Sequence, residues 1–185
     1  MNNKLKIASV FIVFGAIMRL LPHPHNITPV AAMALAGGIY IGRKYLSYIV
    51  PIVCLFVSDL ILNNTVNRIF FEADTGLILF EKNMIFTYTA FALTVVLGAA
   101  IKHFKGLKLI FGGAVLSSLL FFLISNFGAW SIGVLYPKTL AGLGTCYIAG
   151  IPFFWNTLIG NLIFIAIFVL GIETISQRYL AVERS

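Results

Sequence analysis

The chain has 185 residues, of which 60% are hydrophobic and 10% are charged, and its formal net charge is +7. Soluble domains carry about 25% charged residues, so this composition excludes an ordinary soluble protein and predicts a single-domain integral membrane protein over residues 1–185. The positive charge does not indicate a nucleic acid partner, because Lys and Arg concentrate in the cytoplasmic loops of membrane proteins.

Apolar runs predict an all-α bundle of six transmembrane helices in the lipid bilayer. The predicted spans are 5–21, 29–42, 45–62, 83–101, 107–126 and 152–171. Three prolines within 22–29 exclude a continuous helix between the first two spans. Pro152 is placed in the first turn of the sixth helix, where its missing N–H has no cost.

The second helix carries small residues four positions apart, including Ala32, Ala36 and Gly38. This spacing lets two helices approach closely. Two uses fit this spacing, of which internal packing is the commoner. The face either packs inside the bundle or docks a transmembrane coupling subunit.

Six spans place both termini on the same side of the membrane, and the basic residues test that arrangement. Nine of the 13 Lys and Arg residues fall on the side of the termini, three fall on the other side, and Arg19 lies within a span. The positive-inside rule therefore predicts cytoplasmic termini for a multi-pass protein of the bacterial inner membrane.

Residues 126–151 contain many glycines and aromatic residues between two apolar runs. We interpret this stretch as a long ordered loop between helices 5 and 6, on the outer face. Loops of this length in compact proteins tend to be functional. The stretch is therefore expected to cover a ligand site.

Polar residues occur at similar depth in four predicted helices. Arg19, Asp59 and Asn156 lie about one turn inside their spans, and Asn126 lies at the end of its span. A charge at the bilayer centre costs at least about 2.5–3.5 kcal/mol, so such residues face the bundle interior or a wet cavity. Alternatively, Arg19 and Asp59 form a salt bridge between helices 1 and 3, and Asn156 and Asn161 make interhelical hydrogen bonds.

The remaining candidates lie in predicted loops. His23 and His25 suit either a metal or a rigid loop with hydrogen-bonded tips, and we predict no metal and no cofactor. The aromatic residues of 126–151 suit either an interfacial belt or the walls of a pocket. The predicted substrate-binding residues are Arg19, His23, His25, Asn26, Asp59, Asn126, Trp130, Tyr136, Tyr147 and Asn156.

No nucleophile–base pair, Walker loop or zinc signature is present in the sequence. We therefore predict that the protein is not an enzyme and has no ATPase activity of its own. Uptake driven through it needs energy from another subunit or from an ion gradient.

The sequence contains the motifs Arg19-x-x-Pro22-His23-Pro24-x-Asn26, Ser58-Asp59, Ser125-Asn126-Phe127-Gly128-x-Trp130, Tyr136-Pro137-x-Thr139 and Pro152-Phe153-Phe154-x-Asn156-Thr157. Together these motifs resemble an uncharacterised family of small six-helix bacterial membrane proteins. More distantly, the layout resembles the substrate-binding S components of energy-coupling-factor vitamin transporters, nearest the solitary cobalamin-transport S components. That resemblance implies capture of a vitamin-like solute at the outer face, beneath loops, with a coupling subunit docked on small-residue helices.

Two other functions are compatible with the sequence. One is an intramembrane enzyme acting on a lipid or quinone, with Asp59 and either His23 or His25 as acid–base groups. The other is a non-catalytic subunit of a larger membrane complex, with the small-residue face of helix 2 as the contact.

Overall fold

The computed structural model describes residues 3–21, 26–41, 45–70, 76–103 and 106–182, and within these ranges the side chains of all but residues 3, 4, 70 and 179–182. The described residues form an all-helical fold, as predicted. The six α-helices are α1 Asn3–Leu20, α2 Val30–Ala36, α3 Leu46–Asn64, α4 Met84–Ile101, α5 Leu107–Ile132 and α6 Leu140–Val182. A π-helical turn, Gly37–Ile41, continues α2, and a 3₁₀ helix, Val66–Phe70, follows α3.

Helices α3, α4, α5 and α6 are long and apolar enough to cross a membrane. Helix α2 and its π-helical turn together form the shorter apolar segment Val30–Ile41. Its 12 residues rise about 18 Å, well short of a hydrocarbon core of about 30 Å. The structure therefore supports several membrane crossings, whereas six crossings and the side of the termini remain predictions.

The predicted long loop over 126–151 is wrong. Helix α5 continues past Asn126 to Ile132, and α6 already begins at Leu140, so only residues 133–139 connect them. Pro152 lies inside α6 rather than in a first turn. Proline and glycine, which break helices in water, are tolerated in apolar surroundings because neighbouring helices satisfy the freed backbone groups.

The short connector between α5 and α6 is held by its own side chains. The Trp130 indole N–H donates to the Pro137 carbonyl at 2.9 Å. The Lys138 ammonium donates to the carbonyls of Trp130 and Gly133 and lies 5.8 Å from the centre of the Trp130 ring. A cation in this position satisfies the last carbonyls of α5 and interacts favourably with its dipole.

Helix α2 lies at the centre of the bundle, and every residue from Val30 to Gly38 is buried. A Cβ atom on Gly38 would overlap the Val95 carbonyl oxygen, and one on Gly98 would overlap the Leu35 carbonyl oxygen. The two backbones of α2 and α4 can meet this closely only because both positions are glycine. Internal packing is therefore the use that the structure gives to these small residues.

The predicted docking face on Ala32, Ala36 and Gly38 is thus covered by the chain itself, since both alanines are 0% exposed. A coupling subunit on these residues would have to displace the protein's own helices. Such a partner stays a prediction, and it requires a different arrangement of the bundle from the one described.

Candidate functional site

Arg19 and Asp59 form an ion pair between α1 and α3. Arg19 lies in the last turn of α1, and its Nη2 is 2.5 Å from Asp59 Oδ1. The Nη1 of Arg19 donates to Ser58 Oγ at 2.7 Å, and Ser58 Oγ donates in turn to the Leu55 carbonyl at 2.8 Å. The predicted salt bridge between the first and third helices is confirmed.

The second carboxylate oxygen of Asp59 is held by a third helix. The Tyr88 hydroxyl of α4 donates to Asp59 Oδ2 at 2.8 Å. Asp59 is only 6% exposed, so its negative charge is met by Arg19 and by a hydroxyl donor rather than by water. We call Arg19, Ser58, Asp59 and Tyr88 the ion-pair cluster.

The sequence analysis missed Tyr88, although a signal was present. Residues 87–89 read Thr-Tyr-Thr inside a helix whose one other hydroxyl-bearing residue is Thr94. Three consecutive hydroxyl-bearing residues in a span indicate that part of the helix surface meets polar partners. The direction of each side chain was not readable from that pattern.

A cavity of about 170 Å³ adjoins the ion pair. We call it the arginine hollow. Its lining consists of Arg19, Asn26, Thr28, Val30, Ala31, Thr87, Phe121 and Thr157. These residues come from α1, the segment before α2, and helices α2, α4, α5 and α6, so most of the bundle contributes to one hollow.

A second cavity of about 280 Å³ continues from the first. We call it the phenylalanine hollow. Its lining consists of Asn26, Thr87, Phe121, Phe122, Ser125, Asn126, Ala129, Phe153, Phe154 and Thr157. Asn26, Thr87, Phe121 and Thr157 line both cavities, and we therefore treat the two as one joined hollow.

The backbone before α2 places Asn26 and Thr28 in the lining of the joined hollow. Asn26 has φ 64°, in the left-handed region that Asn tolerates better than most residues. A Cβ atom on Gly160 of α6 would lie 3.0 Å from Ile27 Cα and 3.1 Å from the Thr28 nitrogen. Glycine at position 160 thus lets the 27–28 backbone pack against α6 close to Thr157.

The hydroxyls and amides of the lining differ in their hydrogen bonds. Ser125, Asn126 and Thr157 each donate to a carbonyl four residues earlier in their own helix. Their oxygen atoms keep lone pairs that can accept further hydrogen bonds. Among the described residues, no hydrogen-bond partner is found for the hydroxyls of Thr28 and Thr87, which also face the hollow.

The structure brings some of the predicted site residues together. Arg19 and Asn26 line the arginine hollow, and Asn26 and Asn126 line the phenylalanine hollow. Asp59 is one step removed, because it contacts Arg19 rather than the cavity. Asn156 is absent from both linings, whereas its neighbour Thr157 belongs to both.

The three predicted aromatic walls do not line either hollow. Trp130 lies in the last turns of α5 and donates to Pro137 in the α5–α6 connector, where Tyr136 also lies. Tyr147 donates its hydroxyl to the Leu123 carbonyl at 2.8 Å, and its ring is 5.6 Å from the ring of Phe122. Tyr147 therefore supports the hollow from behind Phe122. His23 and His25 lie outside the described residues.

A second polar cluster lies between α5 and α6, one helical turn from the lining residues Phe121 and Thr157. The Nδ2 of Asn161 is 2.8 Å from the Ala114 carbonyl, 2.8 Å from Ser117 Oγ and 3.0 Å from Ser118 Oγ. Asn161 is 0% exposed, and its Oδ1 has no partner among the described residues. The interhelical hydrogen bond predicted for Asn161 is confirmed.

Apolar helices long enough to cross a membrane, packed around a hollow with a buried ion pair at its edge, indicate a multi-pass helical membrane protein with a small-molecule-sized site. Within the parts of the chain that the structure describes, no group of three or more His, Cys, Asp or Glu residues is placed to hold a metal ion.

The chain belongs to a family of unknown function, DUF6580, whose sequence profile matches residues 1–182. This match confirms the resemblance to an uncharacterised family over nearly the whole chain. No curated protein and no solved structure matches the chain. The likeness to S components of vitamin transporters therefore has no support from a known relative.

Proposed function

We propose that this protein is a substrate-capture component of membrane transport. It binds a small, vitamin-like solute in the joined hollow and has no ATPase of its own. The observation that carries the proposal is the convergence of six elements on one hollow that is lined by a partly buried arginine, which is paired with Asp59 and hydrogen-bonded to Ser58. Charged residues within membrane segments are functional candidates by default.

The lining has the composition of a binding site. Ligand pockets are mostly apolar, with a few polar groups that fix orientation. Here four phenyl rings accompany one guanidinium, hydroxyls and amides. The described lining residues offer hydrogen bonds and ring contacts but no nucleophile–base pair, which favours capture over catalysis.

Transport direction follows from the proposed topology. With both termini in the cytoplasm of a bacterium, the hollow opens toward the outer face of the inner membrane, and the solute is taken up. The excess of basic residues predicted on the cytoplasmic side supports this orientation. Energy then comes from an ion gradient or from a coupling subunit.

The test compares two substitutions of exposed alanines. Ala129 lines the phenylalanine hollow and is exposed, so Ala129→Trp fills the cavity with little strain in the core. Ala100 is also exposed, but it does not line either hollow and lies near the opposite end of α4 from Thr87. Ala100→Trp is therefore the matched control. Native mass spectrometry of protein purified in mild detergent measures the retained small molecule.

We expect wild-type protein and Ala100→Trp to retain the same molecule, and Ala129→Trp to lose it. Equal retention in both tryptophan variants would remove the hollow as the capture site. Loss in both variants would indicate a general effect of surface tryptophans and would count against the proposal as well.

A further inference from the structure

We propose that the ligand of the joined hollow is a small uncharged amphiphile, with an apolar ring or similar flat body and a hydrogen-bonding head group. This inference rests on the proposed capture function. It adds the chemical class of the ligand, and three features of the lining carry it: the charge balance, the polar groups at one end and the phenyl rings at the other.

The first feature is charge. Arg19 is the one charged side chain in the described lining of either hollow. Its charge is already met by Asp59 at 2.5 Å, and Asp59 also accepts a hydrogen bond from the Tyr88 hydroxyl. An anionic ligand would compete with Asp59 for the guanidinium and would bring a second negative charge close to it. A cationic ligand would find no carboxylate in the described lining and would lie close to the Arg19 guanidinium, so the electrostatics favour an uncharged molecule.

The second feature is the supply of hydrogen bonds in the arginine hollow. Arg19 has five N–H donors, and its described contacts use one on Nη1 and one on Nη2. The hydroxyls of Thr28 and Thr87 both donate and accept, and Asn26 adds an amide. Such a set fits a head group that carries both an acceptor and a donor, as an amide or a hydroxyl does.

The third feature is the apolar body of the phenylalanine hollow. Phe121, Phe122, Phe153 and Phe154 line it, and the rings of Phe122 and Phe154 are 5.2 Å apart with an interplanar angle of 56°. Tilted rings at this spacing leave faces and edges for a further flat group. The two cavities, of about 170 and 280 Å³, reach the lower part of the usual range for ligand pockets, about 300–1,000 Å³, only when taken together, so they suit a small ligand.

The reactivity of a cysteine placed in the hollow measures its charge preference without a known ligand. In a Cys54→Ala, Cys146→Ala background, Thr157→Cys reports from both hollows, and Thr145→Cys on the exposed surface of the same helix is the reference. The probes are methanethiosulfonates with a methyl, a benzyl, an anionic sulfonatoethyl or a cationic trimethylammonioethyl group. Rates at Thr157→Cys are divided by rates at Thr145→Cys.

We expect the anionic and cationic reagents to have normalised rates within about threefold of each other, because opposite charges a few ångströms apart largely cancel. The neutral reagents are expected to exceed both, and benzyl to exceed methyl. Asp59→Asn leaves Arg19 uncompensated, so the anionic-to-cationic ratio should rise by on the order of tenfold. In the double variant Arg19→Gln, Asp59→Asn no charge is left unpaired, so the anionic-to-cationic ratio should return toward its original value. This double variant keeps the test informative if Asp59→Asn alone folds poorly.

A ratio more than about tenfold from unity with the Arg19–Asp59 pair intact would overturn the uncharged class. Benzyl no faster than methyl would overturn the apolar body, and a Thr157→Cys thiol that reacts with none of the reagents would overturn the whole inference. Failure of the capture function has a different signature, since it shows as unchanged ligand retention in Ala129→Trp.

Discussion

The ion-pair cluster and the Asn161 cluster are both buried polar sites within apolar helices, yet their surroundings differ. The first carries opposite charges, joins α1, α3 and α4, and opens onto the arginine hollow. The second is neutral, joins α5 and α6, and is sealed, with Asn161 at 0% exposure. A polar residue in a span therefore does not identify a ligand site by itself. Access to a hollow distinguishes the two clusters.

Substitutions in the two clusters should also differ in how much they lower the free energy of unfolding. Removing one partner of a buried ion pair leaves an uncompensated charge and costs about 3–5 kcal/mol. Neutral side-chain hydrogen bonds in membranes average about 0.6 kcal/mol and reach about 1.7 kcal/mol. Substitutions in the ion-pair cluster should thus affect stability more than substitutions in the Asn161 cluster.

The largest effect is expected for Arg19→Met, which leaves Asp59 buried with only Tyr88 as a described partner. We predict a loss of about 3–5 kcal/mol in the free energy of unfolding, measured by SDS titration in mixed micelles. The double variant Arg19→Met, Asp59→Leu should be markedly more stable than the single variant, because no charge is left unpaired. Additive losses would show that the pair is solvated and carries no coupling.

An intermediate effect is expected for Tyr88→Phe, which removes one donor from the Asp59 carboxylate and leaves the ring in place. The free energy of unfolding should fall by about 1–2 kcal/mol, which lies between the average for neutral hydrogen bonds in membranes and the value for hydrogen bonds to charged groups. Tyr48→Phe on α3 is the matched control, since Tyr48 is also half-buried and packs in the same apolar cluster as Tyr88.

Tyr48→Phe should change the free energy of unfolding by less than about 0.5 kcal/mol, as is usual for sites without a special contact. Equal effects of the two tyrosine variants would mean that the hydroxyl of Tyr88 contributes nothing through Asp59.

The sequence contained enough information for the all-helical class, for the bounds of α3 and α4, and for the ion pair. Apolar runs predicted α3 and α4 within two residues of their observed ends, because hydropathy reports span position directly. Arg19 and Asp59 were identified because a charge in a span needs a partner or water. These inferences depend on residue type alone.

The rest depended on environment and direction. Glycines, Pro137 and Pro152 made 126–151 look like a loop, but in apolar surroundings an unpaired backbone is too costly, and both helices extend into the stretch. Thr87 and Thr157 line the hollow because of the helix faces they occupy, whereas Asn156, one residue before Thr157, does not. Periodicity in a uniformly apolar helix does not reveal which face is inward.

The smallest effect on stability is expected for Asn161→Leu, and it tests the sealed cluster. The substitution removes the bonds from Nδ2 to α5 but also removes Oδ1, a buried acceptor with no described partner. Lost bonds of about 0.6–1.7 kcal/mol oppose a relieved desolvation cost of about 1–3 kcal/mol. The midpoints of these two ranges, about 1.2 and 2 kcal/mol, nearly cancel, so we expect the net change in the free energy of unfolding to stay within about 1 kcal/mol. Ser117 and Ser118 still donate to the Ala114 carbonyl.

Asn161→Ala serves as the comparison, because it removes the same polar atoms and also opens a cavity, so it should be less stable than Asn161→Leu. Both variants should retain the small molecule measured by native mass spectrometry, since Asn161 does not line the joined hollow. Loss of that molecule in a well-folded Asn161→Leu protein would place the sealed cluster in the binding path. The distinction drawn between the two polar clusters would then fail, because access to a hollow would no longer separate a ligand site from a packing contact.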